Sequence, residues 1–279
     1  ALESCLAVGG RDDGEDNHEN HTGRFGYGLP NSSMSQCRKV EVYSWQKKDG
    51  VHYTYLDFDE VLKNEEQFCN PVEKKDLPKK ITDCLKNKIN DSGTIIVWSK
   101  CDRLDIARSE TLFNHMNDDL CRTFRHRLDN DESYGKKVSI NYLIADKDFN
   151  KFFVANDPIY ILTPNTTPEH ENEATNEIVS EDDIPINYLD DDMSIKTHNV
   201  KMIFTVAKPS IQAIGGGKPL GKHYAKNVGI SVVRNAREIN SKTFGFFNPF
   251  EERERWWGCE IRYGDSNIEI TKKIDSIFG

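Results

Sequence analysis

The sequence predicts an α+β protein with two domains. A chain of 279 residues is long enough to bury two medium-sized cores. Two runs that alternate polar and apolar residues predict an antiparallel hairpin in the first half, and an amphipathic helix followed by further strands predicts a second αβ region. Hydrophobic residues make up 37% of the chain and charged residues 30%, with a formal net charge of −9. This composition is typical of a globular protein with a polar surface.

The first notable segment is a glycine-rich loop at residues 21–30, His-Thr-Gly-Arg-Phe-Gly-Tyr-Gly-Leu-Pro. Glycine allows positive φ angles and a close approach of the backbone to a ligand. Pro30 and the polar residues 31–33 favour a helix start, so we predict a helix over about 30–37. Backbone N–H groups at a helix N-terminus attract anions. The segment therefore predicts either a phosphate-binding loop or a tight turn before a surface helix.

Neither common phosphate-binding motif fits this loop. It lacks the Gly-Lys-Ser/Thr ending of a P-loop, and no long apolar strand precedes it as a dinucleotide-binding fold requires.

Strands 39–45 and 51–57 form the predicted hairpin, with a turn at 47–50. A short helix is predicted at 79–88 within an otherwise polar stretch. The apolar run 95–98 predicts a buried strand, with Thr94 at its start.

The spacing of apolar residues predicts an amphipathic helix over 107–128, with Arg122, Arg125 and Arg127 near its end. Cations at a helix C-terminus complement the helix dipole, so we favour a structural role for these arginines. A nucleic-acid patch is the alternative.

Beyond this helix the sequence predicts strands separated by loops. Residues 164–195 are rich in Asp, Glu, Asn, Pro and Thr and predict an exposed acidic insertion. The glycines at 215–217 predict a flexible connector, and Trp256 and Trp257 predict core packing. The predicted strands cover 138–144, 200–207, 229–234 and 256–263.

Several classes of protein are disfavoured. The seven cysteines are scattered and include no Cys-x-x-Cys pair, which argues against a disulfide framework and a zinc site. We therefore expect reduced thiols, a cytoplasmic location and no resident metal site. No apolar run is long enough for a membrane span, and no basic patch dominates the chain. Both ends look truncated.

The order of these segments resembles the GHKL ATPase superfamily, which includes gyrase B subunits, MutL, heat-shock chaperone ATPases and MORC proteins. The resemblance rests on Gly-Arg-Phe-Gly-Tyr-Gly-Leu-Pro before a helix, on Ser-Gly-Thr before a strand, and on Gly-Ile-Ser-Val-Val-Arg-Asn-Ala-Arg-Glu-Ile in the second region. It implies a partial Bergerat-type α/β sandwich at residues 1–130. A transducer-like domain of the ribosomal S5 type would follow at 131–279.

The resemblance also implies a nucleotide site. The loop would close over the phosphates of ATP, and residues 12–27 would act as a lid. Thr94 would hold adenine through a bound water. Arg234 and Arg237 would face the nucleotide or the domain interface, and surface salt bridges are the alternative. The implied nucleotide-binding residues are Gly23, Arg24, Phe25, Gly26, Tyr27, Gly28, Leu29 and Thr94.

Other parts of the family pattern do not occur in this sequence. They are the catalytic glutamate, the asparagine that holds Mg²⁺, the Asp-x-Gly-x-Gly motif and the transducer lysine. Because hydrolysis needs a positioned base, we predict that this chain alone is inactive as an ATPase, with its catalytic residues unknown. The implied partners are ATP with Mg²⁺, a second copy in a homodimer of the parent protein, and a further protein or DNA, with no membrane contact. A non-catalytic interaction module is the alternative.

Overall fold

The chain forms two compact units, Ala1–Ala107 and Arg108–Gly279. The computed structural model describes residues 2–7, 26–47, 49–64, 70–85, 89–131, 134–189, 192–243, 245, 248 and 250–264. Helices and largely antiparallel sheets occur in both units, which confirms the α+β class. The boundary falls at Ala107 rather than near residue 130, because the helix that starts at Ser109 groups with the second unit.

The N-terminal unit is built on a four-stranded antiparallel sheet of order β3-β2-β1-β4. The predicted hairpin is confirmed, with Val42 opposite Thr54. The elements are α1 Gly28–Gln36, β1 Lys39–Gln46, β2 Gly50–Asp57, α2 Phe58–Asn64, β3 Glu73–Lys74, α3 Lys79–Leu85 and β4 Ser92–Ser99.

One face of this sheet carries the core of the unit. Val40 and Val42 of β1 are buried there with Leu6 and Cys37, and Leu29 of α1 packs against the same cluster. Burial of these apolar side chains holds α1 on the sheet.

Residues 95–98 form a strand as predicted, but the prediction that this strand is buried is wrong. Within the described sheet, β4 pairs with β1 alone and lies at the edge. Its residues alternate between more and less exposed, and Ile96 and Trp98 are 48% and 41% exposed. An apolar run is also compatible with an edge strand that keeps part of its surface in contact with solvent.

The C-terminal unit contains a five-stranded sheet of order β10-β9-β11-β8-β7, in which the β9 and β11 pair is parallel and the others are antiparallel. A separate hairpin joins β5 and β6. The elements are α4 Ser109–Thr123, α5 Arg125–Leu128, β5 Asn141–Ile144, β6 Phe149–Phe152, β7 Asn176–Leu189, β8 Ile195–Ala207, α6 Pro209–Gln212, α7 Pro219–Asn227, β9 Ile230–Arg234, β10 Arg237–Lys242, a 3-10 helix Glu252–Glu254 and β11 Trp257–Tyr263.

Two loop predictions for this unit need correction. The stretch expected to be an acidic insertion at about 164–195 contains β7, whose Ile184, Ile186 and Tyr188 pack on the sheet core. The glycines at 215–217 lead directly into helix α7, which buries Leu220 and Tyr224. In both cases apolar residues on one face decided the structure despite polar or glycine-rich flanks.

The core of the C-terminal unit includes both tryptophans, as predicted. Trp256 is 8% exposed and packs near Tyr160 and Tyr224, and Trp257 is 7% exposed and packs with Val228 and Cys259. None of the described helices combines the length and apolar character needed to cross a bilayer.

Candidate nucleotide site

The N-terminus of α1 is the part of the predicted phosphate loop that the structure describes. Gly26 has a φ of +67°, a conformation that glycine adopts without strain. The helix starts at Gly28, two residues earlier than predicted, with Tyr27 as its N-cap. Gly23, Arg24 and Phe25, with most of the predicted lid, lie outside the described residues. The bend before α1 therefore has the backbone shape that the glycine pattern predicts.

The first turn of α1 has backbone amides that no hydrogen bond inside the helix uses. The Tyr27 side chain makes no capping hydrogen bond. The first N–H groups of a helix have no partner inside it, and Pro30 contributes none. The amide of Asn31 donates to the Tyr27 carbonyl at 3.1 Å. This leaves the amides of Gly28 and Leu29 without intrahelical acceptors.

The surroundings of Gly28 favour an anionic ligand at this point. A Cβ built on Gly28 meets no atom of the described residues within 4 Å, so these residues leave the space beside Gly28 open. The first turn of α1 contains no acidic residue whose carboxylate would compete for the amides. The helix dipole adds partial positive charge here.

Thr94 lies on the sheet face that also carries the α1 cluster. In the β1–β4 register Thr94 is opposite Ser44, and Trp98, four residues further along β4, is opposite Val40 of the buried cluster. Side chains two or four residues apart on a strand share a face. The Trp98 indole N–H donates to Ser33 Oγ of α1 at 2.9 Å, which joins this face of β4 to the helix.

The hydroxyl of Thr94 is exposed and paired with a second hydroxyl. Thr94 Oγ1 lies 3.1 Å from Ser44 Oγ. Sequence reasoning missed Ser44 as the neighbour of Thr94, because a register between β1 and β4 cannot be read from their local patterns. Two adjacent hydroxyls provide both donors and acceptors to a ligand.

The carboxylates of this unit do not form a metal site among the described residues. Asp57 and Asp59 lie close together, but both accept from Lys100 Nζ, at 2.9 and 3.0 Å. Asp59 also pairs with Arg38, whose hydrogen bond lowers the pKa of that carboxyl. Within the described ranges, no group of three or more His, Cys, Asp or Glu side chains is arranged to hold a metal ion. The described residues therefore do not fit Mg²⁺ by themselves.

The three arginines near the end of the predicted long helix have structural roles. Arg125 is fully buried, and its guanidinium donates to Glu260 and to Glu238. Arg127 donates to the Asn235 carbonyl at 3.2 Å. The alternative of a nucleic-acid patch formed by all three arginines is therefore wrong, because Arg125 is fully buried and all three donate hydrogen bonds within the protein.

The carboxylate of Glu260 completes this buried network. Its oxygens accept from Arg125, from His126 Nε2 at 3.0 Å and from Arg262. Burial alone raises the pKa of Glu260, but the charges of Arg125 and His126 lower it well below its usual range. The guanidinium group of Arg237 lies over the Phe124 ring. The network fastens α5 to β9, β10 and β11.

Comparison with known proteins gives a partial match. A family model described as histidine kinase-, DNA gyrase B- and HSP90-like ATPase matches residues 2–94. No curated protein sequence matches the chain.

A solved structure of the topoisomerase IV ATP-binding domain of Francisella tularensis, in complex with a small-molecule inhibitor, aligns over 87% of this chain and 59% of its own, at 10% identity and a TM-score of 0.34. The family match covers α1, β1, β2 and Thr94. In residues 2–94 the chain is similar to the GHKL-type ATPases of the histidine kinase, gyrase B and HSP90 family.

Proposed function

We propose that the N-terminal unit binds ATP, with the phosphates at the N-terminus of α1 and the purine beside Thr94. The observation that supports this best is the uncapped first turn of α1, which follows a glycine-rich bend inside the segment that matches the ATPase family. A helix N-terminus with open amides is a suitable site for phosphate.

The phosphates would accept hydrogen bonds from the amides of Gly28 and Leu29. The open space beside Gly28 allows a phosphate to approach the backbone directly. Gly23, Arg24, Phe25, Gly26 and Tyr27 would contribute further amides when the lid, residues 12–27, closes over the nucleotide.

Adenine would lie over the face of β4 that carries Thr94. The paired hydroxyls of Thr94 and Ser44, 3.1 Å apart, can hold either a purine nitrogen or a bridging water.

The proposal is for binding rather than for hydrolysis. General-base chemistry needs a carboxylate positioned at the attacking water, and we assign no described residue to that role. When bound with ATP, Mg²⁺ would neutralise phosphate charge, but the described carboxylates that lie closest together are already paired with Lys100.

We further propose that the C-terminal unit acts as a transducer and that the parent protein forms a nucleotide-dependent homodimer in the cytoplasm. Sedimentation velocity with and without ATP tests the dimer. A shift of the chain from monomer to dimer on addition of ATP is expected, and an unchanged sedimentation coefficient at saturating ATP contradicts it.

Calorimetric titration of ATP into matched variants tests the phosphate site. Gly28→Asp introduces a carboxylate beside the open amides, where it repels phosphate but interacts favourably with the helix dipole. Gly28→Ala is the matched control, because a Cβ at this position meets no atom within 4 Å. We expect ATP affinity at least ~10-fold weaker in Gly28→Asp, equivalent to about 1.4 kcal/mol, and little changed in Gly28→Ala. Equal affinities in the two variants would refute the assignment.

A second titration separates the purine from the phosphates. Thr94→Val removes the exposed hydroxyl, and Ser92→Ala is its control two residues away on the same strand face. We expect Thr94→Val to weaken binding of ATP while leaving inorganic triphosphate unaffected. Loss of both ligands together would contradict the placement of adenine.

A further inference from the structure

The C-terminal unit has an open depression whose lining is rich in positive charge. Its volume is about 660 Å³, within the size range of small-ligand sites. Three elements contribute cations to it: Arg122 comes from α4, Lys226 from α7 and Lys242 from the end of β10. Its other lining residues are Val228, Ser241 and Thr243. Among the described residues, the lining thus contains three cations, two hydroxyls and no acid.

We propose that this depression binds the phosphate group of a small phosphorylated molecule. The site is separate from the nucleotide site proposed above, because all its lining residues lie in the C-terminal unit. The proposal therefore does not depend on ATP binding at α1.

Arg122 is held in a fixed position at the floor of the depression. Its side chain is only 14% exposed, and its Nε donates to Glu238 at 2.8 Å. Its Nη1 reaches the carbonyl and side-chain oxygens of Asn227 at 3.4 and 3.3 Å. A guanidinium fixed in this way loses little conformational entropy when an anion arrives.

The positive charge of Arg122 is only partly neutralised by its carboxylate partner. Glu238 is shared, since its other oxygen accepts from Arg125 Nη1 at 2.7 Å. Arg125 is in turn shared with Glu260, which also accepts from Arg262. Arg125 also has a third carboxylate, Asp157, 3.9 Å from its Nε. Glu238 therefore serves two guanidinium groups, and its charge is divided between Arg122 and Arg125.

Ser241 lines the depression beside Arg122. Its Oγ accepts from Arg122 Nη2 at 2.6 Å, so the hydroxyl hydrogen of Ser241 points elsewhere. Lys226 pairs with Asp118 at 3.1 Å, but both side chains are more than half exposed. Exposed pairs of this kind contribute little to stability, so a phosphate can replace Asp118 as the partner of Lys226.

A compact phosphate fits better than a nucleic-acid backbone. Binding along a nucleic acid requires a stripe of cations that follows successive phosphates. The neighbouring Arg125 and Arg127 are instead engaged inside the protein, and the whole chain carries a net charge of −9. The cationic surface is therefore one cluster, with a size suited to one or two phosphate groups.

Titration of the full chain with inorganic phosphate, pyrophosphate and a 12-nucleotide single-stranded DNA tests this proposal. We expect saturable binding of phosphate and pyrophosphate that is about tenfold weaker in the double variant Lys226→Gln, Lys242→Gln. Lys201→Gln, which removes an exposed lysine paired with Glu181, is the matched control and should bind normally. Gly28→Asp should also retain this binding, which separates the result from the α1 site.

Lysine acetylation of the unmodified chain gives a second readout that does not depend on variant folding. Pyrophosphate should protect Lys226 and Lys242 from acetylation, as measured by mass spectrometry, and leave Lys201 unprotected. The proposal is overturned if phosphate and pyrophosphate do not bind saturably, if the double variant binds as the parent does, if protection is uniform across lysines, or if only the DNA binds.

Discussion

Replacement of Glu260 by glutamine should strongly destabilise the C-terminal unit. Glu260 is fully buried, and it accepts from Arg125 Nε at 3.0 Å and from His126 Nε2 at 3.0 Å, as well as from Arg262. Glutamine has nearly the same size, so the substitution removes charge without creating a cavity. It also turns an amide group toward donors of the guanidinium groups, leaving buried positive charge unpaired.

The free energy of unfolding should fall by about 3–5 kcal/mol, the usual cost of removing one partner from a buried ion pair. That is a large share of the 5–15 kcal/mol by which a typical domain is stable. The control is Glu181→Gln, which breaks a pair with Lys201 whose side chains are about 45% exposed, and it should change the free energy of unfolding little.

Urea denaturation measures both losses, and hydrogen exchange of peptides from β9 and β11 assigns them to this unit. The network should protect these strands in the parent protein. Strands β9 and β11 pair directly, and they carry Ser231 and Glu260, which both accept hydrogen bonds from Arg125. A Glu260→Gln protein as stable as Glu181→Gln would refute the view that the buried charges fasten α5 to the sheet.

Two further predictions concern the same unit. Burial lowers the pKa of His223, which contacts Tyr160 and Thr166, to about 4 from an ordinary 6.5. As the pH falls, the unfolded chain therefore binds a proton at His223 before the folded chain does. Up to about 3 kcal/mol of stability should be lost between pH 6.5 and pH 4. The variant His223→Gln should flatten the pH dependence of unfolding in that range. If the two pH profiles are parallel, His223 is not responsible. Gly258→Ala should lower the free energy of unfolding by about 2 kcal/mol or more, because the new Cβ would lie 2.4 Å from the Pro158 carbonyl oxygen. An unchanged melting temperature would contradict this packing.

The sequence predicts the elements that carry strong local patterns. The hairpin of β1 and β2 follows from alternation, and the start of α1 follows from the residues around Pro30. Helix α2 was missed because it has no buried residue and therefore no apolar periodicity. Its start is fixed instead by Asp57, whose Oδ1 accepts from the amide of Asp59 at 3.0 Å.

Strand β10 was missed because its turn has an unusual composition. Asn235 and Ala236 both adopt positive φ angles, 48° and 62°, as a two-residue type I′ hairpin turn requires. Glycine is the usual second residue there, and alanine gives no such signal. The alternation of Ile184, Ile186 and Tyr188 in β7 predicts a strand, whereas the acidic composition of the surrounding residues predicts an exposed insertion. The alternating pattern is the one that the structure follows.

The candidate sites also contain some residues that the local sequence predicts and others that it does not. The glycines and Thr94 can be named from local sequence and from a family resemblance. Ser44, Glu238 and the cluster around Arg122 depend on register and on contacts between residues more than 100 positions apart, as with Arg122 and Glu238. Local patterns contain no information about such pairs, because long-range contacts form only when the sheet is assembled.

The most direct test of nucleotide binding at α1 is the amide resonance of Gly28. A chain labelled with ¹⁵N-glycine and titrated with ATP should show a saturable shift of the Gly28 amide, because a phosphate oxygen becomes its acceptor. The amide of Gly258, which lies in a buried strand of the other unit, should not shift. If ATP binds and the Gly28 resonance stays in place, the phosphates lie elsewhere and the proposed site is wrong.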